Sequence, residues 1–160
     1  MKNYHFWRNT FIAIGCFAAL TSCLKAQRKV GNTEAVRKES KGVQNISTEQ
    51  FCNLISDFKQ HPAEWKFKGE RPAIVDFYAV WCGPCRKVSP IMDSLAVEYK
   101  GKIDFYKVDV DKQEDIAMHF NIRSIPTILF VPKKGEPYQQ VGAIGKAEFK
   151  QIIDSILVKR

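Results

Sequence analysis

The sequence predicts an α/β fold, with a central mixed sheet of about five strands and helices on both faces. Three observations carry that expectation. Short runs rich in β-branched and aromatic residues alternate with stretches whose apolar residues recur at helical spacing. Two late runs, Thr127–Val131 and Tyr138–Val141, flank the turn-forming Lys133-Lys134-Gly135-Glu136-Pro137 and read as a hairpin, which makes the sheet mixed. At the centre lies AIVDFYAVWCGPCRKVSP, Ala73 to Pro90, a buried-type strand feeding a helix with two cysteines at the junction.

The chain has 160 residues, 45% of them hydrophobic, enough for a single domain with its own core. Met1–Asn9 carries Lys2 and Arg8, and Thr10–Leu20 is uncharged and mostly apolar, too short for the ~20 residues of a membrane-spanning helix. Residues 1–22 therefore read as an export signal. Leu20-Thr21-Ser22-Cys23 resembles the bacterial lipobox, which implies cleavage before Cys23 and lipidation of its thiol. The rival is ordinary cleavage after Ala26, with Leu24 where a small residue is preferred. Cys16 leaves with the leader in either case.

Residues 23–45 hold Lys25, Arg28, Lys29, Arg37, Lys38 and Lys41 with little apolar periodicity, the composition of a flexible basic tether. Such a length of chain has an r.m.s. reach of roughly 25 Å. Much of the formal charge of +8 therefore sits in the leader and tether. No aromatic-interleaved basic patch accompanies it, so no nucleic-acid surface is read from it.

The folded domain is expected over 46–160. Ser47 reads as the N-cap of a first helix opened by Thr48-Glu49-Gln50, with Phe51, Leu54, Ile55 and Phe58 on one face. Cys52, beside that face, reads as a small buried residue; the sharper alternative is a third redox thiol. In His61–Pro72, the alternation of Trp65-Lys66-Phe67-Lys68 suggests an extra short strand. Ile103–Asp109 reads as a strand and Glu114–Phe120 as a short helix. Lys146–Leu157 closes the chain as an amphipathic helix, with Phe149, Ile152, Ile153 and Ile156 on its apolar face.

The chemistry is in the strand–helix junction. Cys82 stands at a helix start, where unpaired N–H groups and the macrodipole favour an anion. Such placement lowers a thiol from about 8.5 into the range of roughly 3.5–7.5, leaving much of it nucleophilic thiolate at neutral pH. Cys85, one turn on, can close a small disulfide with it. Pro84 lacks an N–H, which early in a helix is no loss.

The run WCGPC, after VDFYA and before RKVSP, resembles the active site of the thioredoxin family, and a Cys-x-x-Cys beside a βαβ pattern points the same way. From Ser47 onward the order of elements is similar to that family. His61–Pro72 is longer than the corresponding connection. The resemblance implies the thioredoxin fold and a dithiol–disulfide oxidoreductase. In it Cys82 attacks a substrate disulfide and Cys85 resolves the mixed disulfide. It places Asp76 beneath the cysteines as a buried, proton-exchanging carboxylate, with Lys107 tuning it. It places Trp81, Gly83, Pro84, Ile125, Pro126 and Gly142 on the substrate-facing surface, with Pro126 cis.

Neither a cofactor nor a metal is implied: one Cys-x-x-Cys needs two further ligands, and His61 and His119 are widely separated. The expected partners are disulfide-containing proteins of the cell envelope, a transmembrane thiol reductant and the membrane itself through the anchor. An envelope oxidase or isomerase using the same dithiol is the first alternative. The Gly-Pro pair between the cysteines favours reduction, since family members with this dipeptide are reducing. A non-catalytic binding module is the second. A cytochrome-maturation reductase is a third, but Tyr99-Lys100-Gly101-Lys102 leaves no room for the insertion common in those proteins.

Overall fold

The computed structural model describes residues 42–158. The expected export signal (1–22), Cys23 and the expected tether up to residue 41 lie outside the described residues. In order, the elements are β1 (Val43–Asn45), α1 (Thr48–Leu54), β2 (Ala73–Tyr78), α2 (Gly83–Glu98), β3 (Asp104–Asp109), α3 (Glu114–His119), β4 (Thr127–Val131), β5 (Tyr138–Val141) and α4 (Lys146–Ile152), which continues as a π-helical turn over Ile153–Leu157.

The sheet order is β1-β3-β2-β4-β5. Strands β1, β3 and β2 are parallel, β4 runs antiparallel to them, and β5 runs antiparallel to β4. The mixed five-stranded thioredoxin fold with helices on both faces is thus present. Val43, Gln44 and Asn45, just ahead of the expected span, pair with Phe105, Tyr106 and Lys107 along the edge of β3. One element differs from the sequence reading. Trp65–Lys68 is not a strand. No strand partners it; instead the Lys68 N–H donates to the Ile55 carbonyl and its ammonium to the Cys52 carbonyl, while Trp65 and Phe67 pack on the core.

The central strand β2 explains how the two layers form. Successive side chains of a strand point to opposite faces. Val75 and Phe77 join Phe51, Cys52 and Ile116 on the α1/α3 side, whereas Ile74 joins Val88, Met92, Leu95 and Phe149 on the α2/α4 side. Full burial of each such side chain contributes roughly 1.5–3 kcal/mol. By the same alternation Asp76 lies on the α2 side. It is a carboxylate in a layer of aliphatic residues.

Helix α1 starts as its sequence predicts. Ser47 Oγ accepts from the Gln50 N–H at 3.2 Å, and Gln50 Oε1 accepts from the Ser47 N–H at 2.9 Å, a reciprocal capping box. Helix α2 is longer, with Pro90 inside it.

Candidate active site at the Cys82–Cys85 turn

Strand β2 ends at Tyr78, and four residues later Cys82 becomes the N-cap of α2, its backbone extended. Cys82 and Cys85 form a disulfide, with Sγ atoms 1.98 Å apart and Cα atoms 5.3 Å apart. The Cys85 N–H donates to Cys82 Sγ at 3.1 Å. Cys82 sulfur therefore occupies the place that a serine or aspartate oxygen takes in an ordinary N-cap. Gly83 and Pro84 fill the first two helical positions, so Pro84 removes an N–H that would have no helical partner.

Both cysteines are 2% exposed. Burial therefore does not separate them in this disulfide form. Both half-cystines pack with Ala79 beneath Tyr78, Val110 and Ile125. What separates them is electrostatic position: Cys82 caps the helix, and Cys85 lies within its first turn.

Trp81 is 66% exposed and its indole N–H donates to Asp111 Oδ2 at 2.7 Å. An apolar plate is thereby held beside the sulfurs. The Ile125–Pro126 peptide is cis. Ile125 is half-buried against the cysteine cluster, and the Gly142 N–H donates to the Pro126 carbonyl at 2.8 Å, bringing the end of the β4–β5 hairpin to the same place. Gly142 has φ +93°, a conformation that favours glycine, and the space where a side chain would project is open.

Asp76 is fully buried, and among the described residues neither of its carboxylate oxygens has a hydrogen-bond partner. Burial raises its pKa from 3.8 to about 6, and the charge of Lys107 works in the opposite direction. Lys107 faces Asp76 in register on β3, with Nζ 4.0 Å from Oδ2. That ammonium also donates to Ser89 Oγ at 2.6 Å and lies over the Tyr78 ring, 4.4 Å from its centroid. The Tyr78 hydroxyl in turn donates to Asn45 Oδ1 at 2.9 Å.

The structure brings together around the turn the residues expected there. It adds three that sequence reasoning missed. Ser89 and Asn45 carry no motif, although Ser89 stands four residues after Cys85 on the same helix face. Asp111 follows a strand and looks like any polar loop residue. Cys52 is buried in the opposite layer, among Phe51, Ile55 and Phe58. His119 stacks on Phe58 with ring centroids 4.2 Å apart, and burial lowers its pKa. Among the described residues no group of three or more His, Cys, Asp or Glu is gathered as a metal site would require.

A paired-cysteine turn opening the helix that follows the central strand of such a sheet defines a class, the dithiol–disulfide oxidoreductases. The thioredoxin family model matches residues 50–155. Thioredoxin of Borreliella burgdorferi is 47% identical over 109 residues, which cover 68% of this chain and 92% of that protein. The chloroplastic M-type thioredoxin of Spinacia oleracea is 37% identical over 147 residues, 88% of this chain and 75% of that protein. Among solved structures, chloroplastic thioredoxin z superposes with a TM-score of 0.58 at 28% identity, covering 71% of this chain and 93% of its own. The chain belongs to the thioredoxin family. It is a thiol–disulfide oxidoreductase of the disulfide-reductase kind.

Proposed function

We propose that this chain is an exported, lipid-anchored thioredoxin that reduces protein disulfides in the cell envelope through Cys82 and Cys85. The observation that carries the assignment of roles is the capping of α2 by Cys82 Sγ, with the Cys85 N–H donating to it. A thiolate accepts such a bond more strongly than a neutral sulfur, so the geometry favours Cys82 as the anion.

In the first step Cys82 thiolate attacks one sulfur of the substrate disulfide. A mixed disulfide forms, and the other substrate sulfur leaves as thiolate. Cys85 then gives its proton to the Asp76 carboxylate and attacks Cys82 Sγ. The Cys82–Cys85 bond closes, the mixed disulfide breaks, and its electron pair leaves on the second substrate sulfur. The substrate gains two electrons and the enzyme is left oxidised. A carboxylate with a pKa of about 6 suits that exchange near neutral pH. Trp81, Gly83, Pro84, Ile125, Pro126 and Gly142 supply the surface against which the substrate chain lies.

Re-reduction outside the cytoplasm calls for a thiol donor carried by the membrane, and a lipid on Cys23 would keep the enzyme near it. The support is the leader, the Leu20-Thr21-Ser22-Cys23 run and the basic segment that follows. Thiol trapping in intact cells tests the direction: Cys82 and Cys85 mainly reduced supports a reductase. A mainly oxidised pair would replace this reading with an envelope oxidase.

A further inference from the structure

We propose that Ser89 is a positioning residue that holds the Lys107 ammonium off the Asp76 carboxylate. Its geometry stands by itself; its consequence for turnover rests on the reading of Asp76 given above. Lys107 Nζ is 2.6 Å from Ser89 Oγ, a short charge-assisted hydrogen bond, and 4.0 Å from Asp76 Oδ2, outside hydrogen-bond reach. Meanwhile neither carboxylate oxygen of Asp76 has a hydrogen-bond donor among the described residues. A buried anion with a flexible ammonium one ångström too far away is an arrangement that something must maintain, because the lysine stem can swing.

Ser89 and Tyr78 do this from two sides. The Ser89 hydroxyl points at the Cys85 carbonyl oxygen, 3.4 Å away, which leaves its lone pairs for the ammonium. The Tyr78 ring lies on another side of the same Nζ, and its hydroxyl is fixed by Asn45. The groups facing Asp76 are few. From β3 there is Lys107, and from β4 the paired Ile128, which is apolar. From α2 Ser89 reaches Asp76 only through the Lys107 ammonium, and from its own strand Tyr78 is close enough to feel its charge.

Without the Ser89 hydroxyl, a small swing of the ammonium brings it onto Asp76 Oδ2, 4.0 Å away. A direct ion pair would pull the Asp76 pKa down toward that of an ordinary carboxylate and make it a weaker base toward Cys85. Ser89 thus sets how strongly Asp76 can hold a proton, without touching substrate or sulfur.

The test follows the Asp76 carboxyl by 13C NMR titration of the oxidised protein, in which neither Cys82 nor Cys85 titrates. In Ser89→Ala the midpoint is expected to fall by about one pH unit. Ser89→Thr restores the hydroxyl and the wild-type midpoint. Lys107→Met raises the midpoint, and adding Ser89→Ala to it then changes nothing. A midpoint unchanged or raised in Ser89→Ala overturns the proposal, as does an equal fall in the Lys107→Met background. The single-turnover rate of mixed-disulfide resolution is expected to shift its pH profile by the same amount. If the midpoint falls and that profile stays put, the role of Ser89 stands and proton exchange by Asp76 does not.

Discussion

Asp76 and Lys107 lie directly opposite each other on adjacent parallel strands, yet their charges stop 4.0 Å apart. The partners are also unequal, since the Asp76 side chain is wholly buried while 16% of the Lys107 side chain meets solvent. Burial prevails over attraction, and the carboxyl titrates near pH 6. The folded state therefore keeps this proton to a higher pH than the unfolded chain does. Its contribution to stability is fully present below pH 3.8 and is lost as pH rises through about 6. Asp76→Asn removes the ionisation. The oxidised variant is expected to be more stable than wild type at pH 7, by on the order of 2–3 kcal/mol, with little difference at pH 4. Urea unfolding at both pH values checks this; equal stabilities at pH 7 would show that Asp76 is not destabilised by its charge.

Exposure does not rank the two sulfurs, so their order of action must be read from trapped intermediates. Cys85→Ser is expected to accumulate covalent complexes with disulfide substrates through Cys82, and Cys82→Ser to accumulate none. Non-reducing electrophoresis followed by peptide mapping locates the bond. Stable complexes through Cys85 in the Cys82→Ser protein would reverse the assignment.

Cys52 is 6% exposed and packs in the layer opposite the disulfide. Cys52→Ala should leave the rate of insulin reduction within about twofold of wild type and lower stability by about 1 kcal/mol, as removal of one buried sulfur suggests. A tenfold loss of rate in a folded variant would mean that this thiol takes part in turnover.

The proposed anchor has its own signature. Cys23→Ser is expected to release the protein from membranes or leave its leader uncut, whereas a domain purified without the first 41 residues keeps its disulfide-reducing activity. Mass spectrometry of the mature N-terminus decides between readings: acyl groups on Cys23 support the anchor, and an unmodified terminus at Gln27 means ordinary cleavage.

The parts of this molecule legible in the sequence are those set by short-range rules. The Ser47 capping box, the strand–turn–helix around Cys82 and the β4–β5 hairpin each depend on residues within a few positions of one another. Contacts between distant segments left no such trace. Lys107 meets Ser89 across 18 positions, and Trp81 meets Asp111 across 30. Trp65 and Phe67 alternate like a strand because they share one face, but that face rests on α1 and Phe120 instead of pairing with a neighbour. The apolar periodicity of the last helix predicts a regular end. Its final turn widens to π spacing, which still buries Ile153 and Leu157.

Strand polarity settles where the molecule can be held without being silenced. β1 begins beside the start of β3, at the end of the sheet where β2 also begins, and Cys82 follows the other end of β2. Six strand residues put roughly 20 Å between those poles. The first described strand therefore enters the sheet at the pole away from the Cys82–Cys85 turn. Attachment at that pole leaves the Cys82–Cys85 turn, with exposed Trp81 beside it, at the opposite one.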